Sequence, residues 1–188
     1  LDLPLQEFSQ NTVASEVAKL EKSRVGNGAA LITRAPTGEI LAMVGSTDYF
    51  ATGSGSFNVA TAERQPGSSI KPVNYAIGLE NKNVTLATVF NDQPTCFSGI
   101  PQLYCPKNYD GKFHGPVQLR FALGNSYNIP AVKMLKLNSV TTMVASSSAF
   151  GITTLTDPSR YGLSLTLGGG EVPMTEMATA FGVFANGG

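Results

Sequence analysis

Residues 64–80 have the sequence RQPGSSIKPVNYAIGLE, in which Ser68 and Lys71 form a Ser-x-x-Lys spacing between two prolines. On a helix, side chains at positions i and i+3 lie on one face, so the amine of Lys71 can approach the hydroxyl of Ser68. A serine hydroxyl is a weak nucleophile that needs a base, and a lysine removed from water can have its pKa lowered enough to serve. The alternative is an ordinary helix that is capped by Ser68 or Ser69 and has its lysine facing water. This alternative is strong, because the composition of the chain alone gives about 0.7 Ser-x-x-Lys matches by chance.

A second polar stretch, Ser126-Tyr127-Asn128, lies between two apolar segments in FALGNSYNIPAVKML. Residues two apart do not share a helix face, so the tripeptide favours a short turn that projects both polar side chains one way. Such a turn supplies a second hydroxyl to relay a proton and an amide to orient a lysine or a substrate carbonyl. The competing interpretation is a simple helix cap by Asn128, and Ser-x-Asn also occurs at Ser9 and Ser56.

The composition is typical of a folded chain, and its balanced charges do not indicate a charged partner. Of 188 residues, 42% are hydrophobic and 14% are charged, and thirteen basic residues balance thirteen acidic ones. No net field draws in nucleic acid or an anionic membrane surface, so no nucleic-acid partner is predicted. The sequence contains neither an apolar run of about 18 residues nor a signal peptide, so we expect any anchor to lie outside this segment.

The cysteines and the single histidine point to no cofactor. Cys96 and Cys105 leave two interpretations open, a disulfide in an oxidising compartment or two free thiols. A tetrahedral zinc site needs about four ligands, and His114 lies nine residues beyond Cys105 among glycine and proline. We therefore predict no metal. A Ser-His-Asp triad would depend on His114 alone, and we disfavour it.

Hydrophobic periodicity predicts one β-hairpin followed by a mainly helical body. The hairpin strands are 29–33 and 40–44, with a turn at Pro-Thr-Gly, while 46–67 and most of 84–116 are predicted as loops. A two-stranded hairpin alone is marginally stable, so we expect further strands of its sheet elsewhere. The predicted helices are 9–24, 69–80, 117–124, 129–138, 140–149 and 173–185.

Three long stretches resemble a known family: RQPGSSIKP, NYDGKFHGPVQLRFALGNSYNIPAVK and LTLGGGEVPMTEMATAFGVFANGG. They are similar to the transpeptidase domain of penicillin-binding proteins, most of all the bifunctional class A enzymes. TGEILAMVGSTDYF resembles the first hairpin of that domain, and LDLPLQ resembles its opening. The resemblance implies an incomplete α+β fold of the penicillin-binding-protein/β-lactamase type, with residues 1–188 as its N-terminal part. Its expected divisions are an opening segment and helix (1–28), a β-hairpin and loop (29–67) and a mainly helical subdomain (68–188).

The resemblance also implies a reaction and assigns roles to residues. It implies a serine DD-transpeptidase that cross-links peptidoglycan stem peptides ending in D-Ala-D-Ala, is acylated by β-lactams, and works at the extracytoplasmic face of the bacterial inner membrane. Ser68 would be the acylated nucleophile and Lys71 its base. Ser126 would relay protons to the leaving amine, and Asn128 would hold the lysine and the substrate carbonyl. Tyr127 is expected to line the cleft and contact the substrate, because it lies between these two residues.

One motif of the family is missing from this sequence. The Lys-Thr-Gly or Lys-Ser-Gly strand that binds the substrate carboxylate does not occur in it. We therefore expect the remaining strands, and a membrane anchor, outside these 188 residues, with a second chain as one way to supply the strands. Two alternatives stay open: a serine β-lactamase or β-lactam sensor, which shares both short motifs, and a non-catalytic peptidoglycan-binding or scaffold domain.

Overall fold

The structure, a computed structural model, describes residues 1–98 and 102–188, which divide into two compact units. Unit 1 comprises Leu1–Arg64 and Val172–Gly188, and unit 2 comprises Gln65–Glu171. No helix in the described part of the chain is long and apolar enough to cross a membrane. In chain order the elements are α1 (Leu3–Lys19), β1 (Ala30–Thr33), β2 (Ile40–Val44), α2 (Lys71–Glu80), β3 (Val89–Asp92), β4 (Gly115–Gln118), α3 (Leu119–Gly124), α4 (Asn128–Asn138), α5 (Val140–Ser147) and α6 (Met174–Asn186).

Unit 1 is built on the predicted hairpin. Strands β1 and β2 pair antiparallel, with Ala30 opposite Val44. Helix α1 lies along β2, where the Gln6 side chain donates to the Met43 carbonyl at 3.0 Å and accepts from its N–H at 2.8 Å. One glutamine thus satisfies the backbone groups of Met43 on the outer edge of β2.

Unit 1 differs from the sequence prediction chiefly in the start of its first helix and in the placement of residues 172–188. Helix α1 begins six residues earlier than expected, because the Asp2 side chain accepts from the N–H of Leu5 at 3.1 Å and caps it. Residues 172–188, which the sequence analysis places in the helical subdomain, lie in unit 1. Helix α6 packs against β1, and Val172 pairs with Arg64 through the backbone, so this segment belongs with the hairpin.

Unit 2 packs helices α2 and α4 against a second two-stranded sheet, β3 with β4. The strands are antiparallel, with Val89 opposite Gln118 and Asp92 opposite Gly115. The sequence analysis does not predict this sheet: it assigns most of 84–116 to loops and 117–118 to the start of a helix. The core of the unit is a cluster of buried side chains: Tyr75, Val84, Phe90, Leu119, Ala131 and Met134.

A buried amide fixes α2 against its neighbours in this unit. The Nδ2 of Asn74, on α2, donates to the Ala131 carbonyl at 3.0 Å and to the Thr166 hydroxyl at 2.8 Å. The Nδ2 of Asn138, at the end of α4, donates to the Oδ1 of Asn74 at 2.9 Å. Burying an amide is costly unless hydrogen bonds compensate for the lost water, so these bonds stabilise the packing of α2 against α4.

Candidate active site

Ser68 lies in a single 3-10 turn, Gly67–Ile70, that leads directly into Lys71 at the start of α2. Side chains three residues apart eclipse in a 3-10 turn, so Ser68 and Lys71 lie on the same side. Neither serine caps α2, whose N-cap position is Ile70. The Ser69 hydroxyl donates to the Pro66 carbonyl at 2.6 Å, whereas the Ser68 hydroxyl makes no hydrogen bond to any residue that the structure describes. Ser68 is therefore the serine available for chemistry.

Lys71 does not face water, although its side chain carries an amine. It is 1% exposed, and its Nζ donates to the Ser126 carbonyl at 2.6 Å, to the Asn128 Oδ1 at 2.6 Å and to the Ser126 hydroxyl at 3.0 Å. Burial lowers the pKa of Lys71 from 10.5 to about 8. The interpretation of Lys71 as a solvent-facing residue is wrong, and the two short motifs meet at its amine.

The Ser126-Tyr127-Asn128 turn has an unusual backbone at its first residue. Ser126 adopts a left-handed conformation with φ of 55°, which residues other than glycine adopt rarely. Both its carbonyl oxygen and its hydroxyl contact the amine of Lys71 in this conformation. Backbone strain of this kind costs about 1–3 kcal/mol and tends to collect at functional sites.

Asn128 is the first residue of α4 and does not act as a cap. Its backbone N–H donates to the Asn108 Oδ1, and its Nδ2 donates to the Lys107 carbonyl, both at 2.7 Å. The bond to the Lys107 carbonyl fixes the orientation of the side-chain amide, because Nδ2 is its donor and Oδ1 is its acceptor. The Oδ1 of Asn128 is consequently left to bind Lys71.

Unit 2 has an open cleft of about 480 Å³ at this site, and the buried Lys71 is not among the residues that line it. The sequence prediction had placed Ser68, Ser126, Tyr127 and Asn128 in one site, and all of them line the cleft. The sequence prediction did not include residues 108–110, which line another part of the cleft, because the residue types in that segment indicate only a turn. The lining residues are Ser68, Asn108, Tyr109, Asp110, Asn125, Ser126, Tyr127 and Asn128.

His114 does not contribute to a catalytic triad. Its Nδ1 lies 2.9 Å from Asp92 Oδ2, and its Nε2 lies 3.1 Å from Asp110 Oδ2. Its ring stacks on Tyr127 with the ring centroids 4.1 Å apart. Both ring nitrogens face carboxylates and neither faces a serine.

The cysteines are bonded to each other, which is the first of the two alternatives that the sequence left open. The Cα atoms of Cys96 and Cys105 lie 4.2 Å apart, and the bond closes a short loop next to the cleft-lining segment. The residues that the structure describes contain no group of three or more side chains arranged to hold a metal ion.

The family model of the penicillin binding protein transpeptidase domain matches residues 28–188. The chain belongs to this family. Among curated penicillin-binding proteins, penicillin-binding protein 1A of Rickettsia bellii is 38% identical over 166 residues, and that of Neisseria lactamica is 38% identical over 165 residues. Each alignment covers 86% of this chain and 20% of the relative, so the chain spans a fifth of the length of these penicillin-binding proteins.

Solved structures of penicillin-binding proteins share the fold. The crystal structure of penicillin-binding protein 1A from Haemophilus influenzae matches with a TM-score of 0.75 and 34% identity, over 85% of this chain and 23% of that one. A Burkholderia ambifaria structure named a peptidoglycan glycosyltransferase matches 99% of this chain and 60% of its own, with a TM-score of 0.79. At 20% identity the second match shows the fold alone. The predicted α+β transpeptidase fold is thus confirmed as part of a larger one.

Proposed function

We propose that this chain supplies the nucleophile, the base and the proton relay of a peptidoglycan DD-transpeptidase. The observation that carries the proposal is Lys71, a buried amine held by the hydroxyl of Ser126 and the amide of Asn128 and placed one turn from Ser68. A desolvated lysine, one turn from a serine whose hydroxyl is not bonded to any described residue, is an arrangement suited to covalent catalysis.

The proposed reaction proceeds in two steps through an ester on Ser68. The Oγ of Ser68 attacks the carbonyl of the penultimate D-Ala in a stem peptide ending in D-Ala-D-Ala, its proton passes to Lys71, and the terminal D-Ala leaves as an amine. The amine of a second stem peptide then attacks the ester, which forms the cross-link and returns the Ser68 hydroxyl. In this proposal β-lactams acylate the same oxygen, and the name of the relatives, penicillin-binding protein 1A, supports binding of penicillin.

The surroundings of Lys71 suit the proton transfers. With a pKa of about 8, about one-tenth of the amine is neutral at pH 7, roughly 300-fold more than at its ordinary value of 10.5. The Ser126 hydroxyl, 3.0 Å from Nζ, is within reach to pass a proton on to the leaving amine. The Nδ2 of Asn128 carries a second hydrogen that can bind the substrate's peptide carbonyl.

Two parts of the proposed enzyme lie outside these 188 residues. The backbone N–H of Ser68 offers one donor to the oxyanion, while the second donor and the substrate-carboxylate site belong to a Lys-Thr-Gly or Lys-Ser-Gly strand supplied by more chain or by a second chain. A missing donor of this kind costs about 2.7–4 kcal/mol of transition-state stabilisation. The proposed location is the extracytoplasmic face of the bacterial inner membrane, which the Cys96–Cys105 disulfide supports because disulfides persist in oxidising compartments.

Labelling with fluorescent penicillin tests the proposal in the full-length protein. We expect one stable label per molecule, its loss in Ser68→Ala and its retention in the matched control Ser69→Ala. Rapid release of the label would instead identify a β-lactamase. Absence of labelling in the wild-type protein would contradict the proposal and favour a non-catalytic binding domain.

A further inference from the structure

Behind the Ser126-Tyr127-Asn128 turn lies a second group of polar side chains, arranged around the carboxylate of Asp92. Asp92 ends strand β3 and has no exposed surface. Its Oδ2 accepts from the Nδ2 of Asn108 at 2.7 Å and from the backbone N–H of His114 at 2.9 Å, and it lies 2.9 Å from the Nδ1 of His114. Burying a carboxylate is costly unless several donors bind it, so Asn108 and His114 are held firmly to Asp92.

Asn108 connects Asp92 to Asn128. The Oδ1 of Asn108 accepts from the backbone N–H of Asn128 at 2.7 Å, while its Nδ2 donates to Asp92 and to the Lys112 carbonyl at 2.9 Å. Because Nδ2 is the donor end of the amide, the bonds to Asp92 and Lys112 decide which end of Asn108 faces Asn128. Asp92 thus selects the orientation that α4 needs at its first residue.

His114 connects Asp92 to Tyr127. The imidazole and phenol rings stack with an interplanar angle of 14° and centroids 4.1 Å apart. The ring of His114 cannot turn freely, because Asp92 faces its Nδ1 and Asp110 faces its Nε2. The buried carboxylate of Asp92 is therefore linked to two consecutive residues of the Ser126-Tyr127-Asn128 turn, to Asn128 through Asn108 and to Tyr127 through His114.

We propose that Asp92 is a positioning residue of the active site, which orients Asn108 and His114 and through them the turn whose oxygen atoms bind Lys71. The inference rests on the proposed function for its catalytic consequence. Asp92 contacts neither the cleft nor Ser68, and it acts by holding Asn128 where the Oδ1 meets the Nζ of Lys71. Small displacements of catalytic groups slow reactions strongly, by about 100-fold for 1 Å.

The experiment compares Asp92→Asn with a matched control, Asp157→Asn, in the full-length protein. Asp157 is an aspartate of the same unit whose Oδ1 accepts from the N–H of exposed Ser159 at 2.9 Å, far in sequence from both motifs. The amide of Asp92→Asn keeps the size of the side chain and one acceptor oxygen. It removes the charge that strengthens the three bonds at Oδ2, and it puts a buried donor where Oδ1 has no hydrogen-bond partner among the described residues. Acylation by fluorescent penicillin is followed over a range of concentrations, which separates the maximal rate from the half-saturating concentration.

We expect Asp92→Asn to lower the maximal acylation rate about 10- to 100-fold while the half-saturating concentration changes less than about twofold. Asp157→Asn should leave both values unchanged. If Asp92→Asn does not fold, Asn108→Asp carries the same expectation for the maximal rate, because it keeps an oxygen for Asn128 but sets a second carboxylate against Asp92. Asn108 itself lines the cleft, so the half-saturating concentration is not compared for this variant. An unchanged maximal rate in either folded variant would overturn the proposal.

A crystal structure of Asp92→Asn keeps this inference separate from the proposed function. If the wild-type protein is never acylated, the proposed function fails, and the structure alone decides the role of Asp92. We expect the distance between Asn128 Oδ1 and Lys71 Nζ to exceed about 3.5 Å in the variant. An unmoved turn would overturn the proposal in that case as well.

Discussion

At the scale of single residues, Lys71 differs from the other lysines of the chain in its environment. It is buried, whereas the others are exposed or half-buried. The Ser-x-x-Lys spacing indicated that Lys71 and Ser68 share a side, but spacing carries no information about burial. The structure supplies that information, and with it the physical reason why this amine loses its proton more easily.

The lowered pKa of Lys71 predicts how acylation depends on pH. Below about pH 8 the amine is mostly protonated and cannot accept the Ser68 proton, so the rate of acylation by penicillin should rise with pH and level off above about 8. Stopped-flow measurements on the full-length protein between about pH 6 and pH 10 check this. A profile that is flat through this range, or that falls as pH rises, would rule out Lys71 as the base.

The sequence predicted Ser68, Lys71, Ser126 and Asn128 as a group, because their two short motifs lie within long stretches that resemble the penicillin-binding-protein transpeptidase domain. Asp92 and Asn108 lie in neither short motif. Their proposed positioning role depends on tertiary contacts between β3, a loop and the start of α4, which no local pattern encodes.

At the scale of elements, the turn that carries Ser68 is shaped by a neighbouring turn. The 3-10 turns Gly67–Ile70 and Leu163–Leu167 pack together, and Gly168 has φ of +87°. A Cβ added to Gly168 would lie 2.2 Å from the backbone N of Gly67. Backbone atoms cannot move aside as a flexible side chain can, so only glycine fits here.

Gly168→Ala should therefore disturb both stability and acylation. We expect the free energy of unfolding to fall by about 2 kcal/mol or more, from the left-handed backbone and the contact with Gly67, and the rate of Ser68 acylation to fall with it. Gly162→Ala is the matched control, because its φ is −116° and no described atom lies within 4 Å of an added Cβ. Urea unfolding and penicillin labelling measure the two effects. Equal behaviour of the two variants would contradict this account of the turn.

Elements with clear periodicity were predicted, and the sheet of β3 and β4 was not. Within β3, Val89 is exposed and Phe90 is buried, followed by exposed Asn91 and buried Asp92. A strand of four residues whose second inward side chain is a carboxylate does not show the apolar alternation that identifies strands. The sheet that the sequence did not predict contains Asp92. The alternation of apolar and polar residues fails to identify a strand when one of its buried residues is polar.

At the scale of the whole molecule, the long stretches of resemblance predicted the family, and the match to residues 28–188 confirmed it. The sequence could not decide between a disulfide and free thiols, because that choice depends on the distance between two Cα atoms. The structure brings Cys96 and Cys105 into bonding range, beside an antiparallel backbone pair formed by Phe97 and Tyr104.

Replacing both cysteines with serine should lower the free energy of unfolding of the full-length protein by about 2–3 kcal/mol. The bond closes a loop of about ten residues, and closing a loop of that size removes conformational entropy from the unfolded chain. Urea unfolding with and without a reducing agent measures the effect. Reductant should destabilise the wild-type protein and leave the double variant unchanged. An equal response in both proteins would contradict a stabilising disulfide.

The most direct test of the account is the mass of the full-length protein during reaction with a stem peptide ending in D-Ala-D-Ala. The account predicts an adduct equal to the donor minus one D-Ala, located by peptide mapping on Ser68, absent from Ser68→Ala and retained in Ser69→Ala. An adduct on another residue, or cross-linked product formed by Ser68→Ala, would contradict it.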